Sequence, residues 1–161
     1  MGELQALGAV LEGSALGVWA RGSTFGYPLV NVVHLLGMVF LLGSACLLDL
    51  RIAGAFRALP LAALARILIP AAAVGLLLLV LSGFVMFSAD AGPLLGSTTF
   101  RWKVALIVLA LSNVLAFHLI WGFPNDDQRG MRSSIGRRVM ALLSVAMWLG
   151  VATLGRLIAY S

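Results

Sequence analysis

From Leu29 to Tyr160 the chain alternates apolar runs of roughly 20 residues with short polar breaks, a period far longer than that of a sheet or a soluble amphipathic helix. The runs are about Leu29–Leu48, Ile67–Phe87, Val104–Phe123 and Val139–Tyr160, the last interrupted late by Arg156. Each is long enough for ~30 Å of hydrocarbon, so the pattern predicts four transmembrane helices. Residues 1–27 read differently. Leu4, Leu7, Val10, Leu11 and Val18 fall near helical spacing while Glu3 and Gln5 lie off that stripe, which predicts an amphipathic helix on the membrane surface followed by a linker. Without a basic n-region, and with Glu3 and Glu12 interrupting it, this segment makes a poor signal peptide.

The breaks "SADAGPLLGSTT" (from Ser88) and "GFPNDDQRG" (from Gly122) are turn chemistry. Short connections make consecutive helices antiparallel neighbours. The expected fold is therefore all-α: an up-down four-helix integral membrane bundle, one domain over residues 1–161, with an N-terminal interfacial helix.

Composition sharpens this. Of 161 residues, 61% are hydrophobic and 11% charged, against about 25% charged in ordinary soluble domains. The net charge of +5 lies in the breaks, so it reads as a topology signal and gives no reason to expect nucleic acid. Arg51, Arg57, Arg66, Arg129, Arg132, Arg137 and Arg138 fall on one side; Arg21, Arg101, Lys103 and Arg156 fall on the other. The positive-inside rule puts the first group in the cytoplasm and both termini outside. Tyr27, Trp102 and Tyr160 then sit at the outer boundary and Trp121 near the inner one, as an aromatic belt. A single cysteine, Cys46, excludes an internal disulfide.

Ionisable groups inside spans are costly and are functional candidates by default. Both histidines, His34 and His118, lie in spans. At 1.5 Å per residue His34 lies ~8 Å and His118 ~21 Å below the outer boundary, about 13 Å apart along the membrane normal. Two imidazoles sharing one metal need nitrogens only ~4 Å apart, so one ion clamped by both is disfavoured. Two sites, or one site and one structural histidine, remain. On the first helix Asn31, His34, Met38, Ala45 and Asp49 share a stripe about 60° wide. On the second, Gly75, Ser82 and Met86 share another, with Ser82 level with His34. Deeper, His118 is nearly level with Met147, on a stripe with Ser144 and Met140.

These groups suit a b haem held by His34 or His118, with Met86 or Met147 as a sixth ligand. Ser82 would orient His34, and Arg101, Lys103 or Arg156 would meet the propionates; a quinol headgroup is the other occupant the cluster suits. The bland readings stand beside this one: methionine is mostly a gap-filler, a lone histidine is interhelical glue as readily as it is a ligand, and Asn113 is an interhelical hydrogen-bonding residue. Asp49 and Arg51 read as an interfacial ion pair or as snorkelling groups. With no glutamate in any span and no zinc-type Cys/His set, soluble-enzyme chemistry is not expected.

Three segments, "YPLVNVVHLLG", "DLRIAG" and "FRWKVALIVLALSNVLAFH", resemble an uncharacterised family of small bacterial four-helix membrane proteins over roughly Tyr27 to His118. The resemblance implies architecture, in a bacterial inner membrane with both termini periplasmic. More loosely the layout is similar to cytochrome b561-like proteins, implying b haem and exchange with quinone, and to copper-resistance D-type membrane proteins, implying metal handling. The expected function is thus haem-b electron transfer at the outer face. The alternatives are a non-catalytic bundle acting as an accessory or homo-oligomeric subunit, supported by 18 glycines, and copper or proton movement along His34, Met38, Cys46 and Asp49.

Overall fold

The computed structural model describes residues 2–122, 135–158 and 160. Regular structure among them is entirely helical: α1 (Gly2–Glu12), α2 (Ala15–Gly22), α3 (Gly26–Ala53), α4 (Leu61–Ala89), α5 (Ala91–Gly96), α6 (Thr98–Trp121) and α7 (Ile135–Ile158). Helices α3, α4, α6 and α7 are long and apolar enough to cross a membrane, and they form the expected four-helix bundle. Each outer face carries large lipid-facing side chains such as Leu35, Val39, Leu77, Leu115 and Leu143.

The helices extend past the apolar runs because local capping, not hydropathy, stops them. Helix α3 ends at Gly54, whose φ of 114° is the left-handed cap a glycine takes easily, and Gly54 N–H donates to the Leu50 and Arg51 carbonyls. Ser97 begins α6 by accepting from Phe100 N–H at 3.3 Å, and Gly122 (φ 69°) closes it. Pro70 sits inside α4, where membrane helices tolerate it because packing and side chains compensate for the lost N–H.

The ends of the bundle differ. At the terminal end, the region expected as one interfacial helix is two, because Ser14 breaks it: the hydroxyl accepts from Gly17 N–H and caps α2. Helix α1 packs on α5 and α2 on α4. A clasp holds them there. Glu12 Oε1 accepts from Gly92 N–H at 2.6 Å, Arg21 donates to the Ala89 carbonyl at 3.0 Å, and the two side chains form an ion pair at 3.6 Å. Arg21 is therefore a clamp as well as a charge. The turn expected from Ser88 contains the short helix α5. The "GFPNDDQRG" turn lies beyond Gly122, outside the described residues.

Consecutive helices are not all neighbours. Helix α4 packs on α3, α3 on α7 and α7 on α6, but α4 and α6 are not packed along their length, although short connections were expected to make consecutive helices neighbours. Their ring contact, Phe87 stacked on Phe100 at 5.5 Å, lies at the terminal end. Leu41, Ala110 and Trp148 form the bundle centre, with Ala72, Leu76, Leu79 and Met147 against them. The α3–α4 crossing is backbone on backbone: a Cβ on Gly37 would lie 2.9 Å from the Gly75 carbonyl oxygen.

Candidate functional site

The crossing sets up the first polar group. With α3 and α4 in close contact, His34 Nδ1 lies 2.9 Å from Ser82 Oγ. Ser82 spends its own proton on the Leu78 carbonyl of its helix, so it accepts from His34 Nδ1–H. The neutral imidazole is thereby held in one tautomer, with its lone pair on Nε2. Gly83 leaves space for the ring, since a Cβ there would sit 3.3 Å from His34 Cε1. Lys103 of α6 is close enough to act electrostatically on His34. Its Nζ reaches α7, 3.4 Å from where a Gly155 Cβ would be. Ser82 thus meets His34 directly across the helix crossing.

The other candidates at this end are looser. Arg101 is exposed and donates to Thr98 Oγ1 at 3.3 Å. Arg156 is exposed, donates to the Tyr160 hydroxyl at 3.0 Å and lies 5.3 Å over that ring. Met86 is half-buried on α4, and Asn31 is exposed, off the interior stripe assigned to it.

The second group lies at the loop end. There α3, α4, α6 and α7 line a cavity of about 240 Å³. Its walls are apolar (Leu48, Leu76 and Phe117 among them), with Ser44, Asp49, Asn113, His118 and Ser144 as the polar exceptions. Asp49 faces the Ser144 hydroxyl of α7, close enough to interact with it, and forms no ion pair with Arg51 among the described residues. Arg51 instead donates to the Leu59 and Arg57 carbonyls, tying the α3–α4 connection. Asn113 Nδ2 donates to the Met140 carbonyl at 3.1 Å, the interhelical bond expected of it. His118 Nδ1–H donates to the Val114 carbonyl at 2.8 Å, and Phe117 stands edge-on to its ring. Met140 shares the lining with His118, whereas Met147 belongs to the bundle centre.

The two histidines therefore belong to separate places, as their depths implied. His34 and Asp49, both on α3, are separated by about 22 Å of helix rise. Among the described residues no three His, Cys, Asp or Glu side chains are grouped to hold a metal ion. A b haem held between His34 and His118 does not fit this arrangement. The cavity is also smaller than the ~300–1,000 Å³ usual for drug-sized ligands. What the cavity can do is take a small, mostly apolar molecule with a few hydrogen-bonding atoms.

No family description, curated protein or solved structure matches this chain.

Sequence reasoning missed the cavity, and with it Ser44 and Trp148. The signal that could have found them is the run Leu41, Ser44, Ala45, Leu48, Asp49, Ile52 on one helical face, where small and polar residues interrupt a packing stripe.

Proposed function

We propose that this chain is a membrane-embedded binding protein whose loop-end cavity receives one small lipid-soluble molecule, a substituted ring of the quinone type. The observation that carries this reading is the cavity itself: lined by all four spans, apolar in most of its lining, with a few polar groups on it. The arginine bias of the loops supports a cytoplasmic position for the loop end, and with it for the site; the membrane in this reading is a bacterial inner membrane. The test is titration of the detergent-purified protein with a decyl-tailed benzoquinone, following tryptophan emission. Saturable quenching in the wild type, lost when Ala45→Leu fills the cavity, supports the reading. Equal quenching in both removes it.

A specific observation keeps a second reading alive. The Nδ1–H of His34 is fixed by Ser82, as metal-ligating histidines usually have their second nitrogen fixed. His34 and Met86 would hold a haem iron there, and Lys103, Arg101 or Arg156 would meet the propionates; the group would supply one-electron transfer. Its test is the absorption spectrum of protein from haem-replete cells, oxidised and then reduced. A Soret band lost in His34→Ala and kept in His118→Ala supports it, and a flat spectrum removes it.

A further inference from the structure

Two features of the cavity remain unused by its size and lining alone. One is its wall. Helices α4 and α6 both line it, yet they are not packed on each other there. Ala73 of α4 and Leu111 of α6 both line the cavity and are both exposed. In a bilayer that side faces hydrocarbon, not water.

The other is Ser44. Hydroxyls in these helices ordinarily return to the carbonyl four residues back: Ser82 to Leu78, Ser88 to Phe84, and Thr153 to Leu149. Ser44 makes no such bond. It is 7% exposed, lines the cavity, and its hydroxyl has no hydrogen-bond partner among the described residues. Trp148, 4% exposed, lines the same cavity, and its Nε1–H also finds no acceptor. A hydroxyl without a partner on a small, mostly apolar cavity, with an unpaired indole N–H in the same lining, is what an acceptor from outside the chain would complete.

We infer that the cavity is loaded sideways from the bilayer, between α4 and α6, by a small lipid-phase molecule whose carbonyl-type oxygen accepts from the Ser44 hydroxyl. The proposal rests on the cavity being a ligand site. It adds the route, the anchoring residue and the chemistry of the ligand. The lateral route follows from the same geometry that makes an apolar ligand suitable: a molecule dissolved in hydrocarbon need not cross the polar loop end.

The experiment uses the full chain in vesicles, with Trp148 as sole tryptophan (Trp19→Phe, Trp102→Phe, Trp121→Phe). Phosphatidylcholine brominated on its acyl chains probes access from hydrocarbon, and iodide probes access from water. Bromolipid quenching of Trp148 with little iodide quenching is expected. Ala73→Phe should remove most of it, whereas Val74→Phe, on the exposed face outside the lining, should not. Quenching by iodide alone, or by neither probe, overturns the lateral route.

The ligand chemistry is tested on the same protein with decyl-benzoquinone and with decylbenzene, which lacks oxygen. Ser44→Ala should weaken the quinone about tenfold, the loss of roughly one buried hydrogen bond, and leave decylbenzene unchanged. A quinone affinity indifferent to Ser44 overturns the anchor while leaving the cavity reading intact. Saturable binding of neither probe removes the cavity reading itself; a phospholipid filling the cavity would give that flat titration together with strong bromolipid quenching.

Discussion

Replacing Gly75 by alanine adds one methyl group where α3 and α4 run backbone against backbone. Its Cβ would stand 2.8 Å from the Gly37 carbonyl oxygen and 2.9 Å from Phe40 Cβ, with Leu41 N also against it. Ordinary contact begins at 3.4 Å, and two of these neighbours are backbone atoms that cannot rotate away. The helices must part by roughly half an ångström or more, an overpacking that costs typically ~1–3 kcal/mol. The same parting stretches the 2.9 Å bond between His34 and Ser82 on this helix pair towards the length at which a hydrogen bond is lost. That adds about 1 kcal/mol. Gly75→Ala should thus destabilise the bundle by about 2–4 kcal/mol. Gly43→Ala is the control, because nothing lies within 4 Å of a Cβ there, and it should be neutral or slightly stabilising. The assay is reversible unfolding of α-helix in mixed detergent micelles, followed by circular dichroism. A Gly75→Ala stability within about 0.5 kcal/mol of wild type, the range of unremarkable surface changes, would refute the close crossing as the element that positions His34.

Other outcomes follow from particular contacts. Ser82→Ala should cost about 1 kcal/mol and release the His34 tautomer, seen as an exchange-averaged imidazole ¹⁵N spectrum where the wild type shows Nδ1–H. Glu12→Ala removes both the Gly92 bond and the Arg21 ion pair, and should raise hydrogen exchange in α1 and α5 while leaving α6 and α7 unchanged. Asn113→Leu breaks the bond to the Met140 carbonyl and should cost no more than ~2 kcal/mol, because interhelical bonds in membranes average about 0.6 kcal/mol; a larger loss would mean that Asn113 supports more than that bond.

How much of this was legible beforehand varies with the range of the interaction. The spans, their number and the bundle class could be read from runs of apolar residues, because the need to satisfy every backbone group in hydrocarbon leaves helices as the only spanning form for such runs. The pairing of His34 with Ser82 was legible too, since depth follows from residue count at a fixed rise. For Asp49 and Arg51 the residues alone allowed an interfacial ion pair or snorkelling groups, and the ion pair is the one that the structure does not form. Sequence neighbours two apart on a helix point in different directions, and the carboxylate met Ser144 from another span.

By itself, then, the sequence determined what period, length and charge can determine: four membrane helices, the charge bias of their ends, and which polar side chains share a level. Only the tertiary structure decided which helices touch. The Gly37–Gly75 approach, the Glu12–Arg21 clasp and the gap between α4 and α6 depend on how side chains and backbones from distant segments fill space. Without a hydrophobic driving force between helices in lipid, that filling is set by packing and a few hydrogen bonds, neither of which leaves a periodic trace in the chain. The cavity is the space this packing leaves between the four spans.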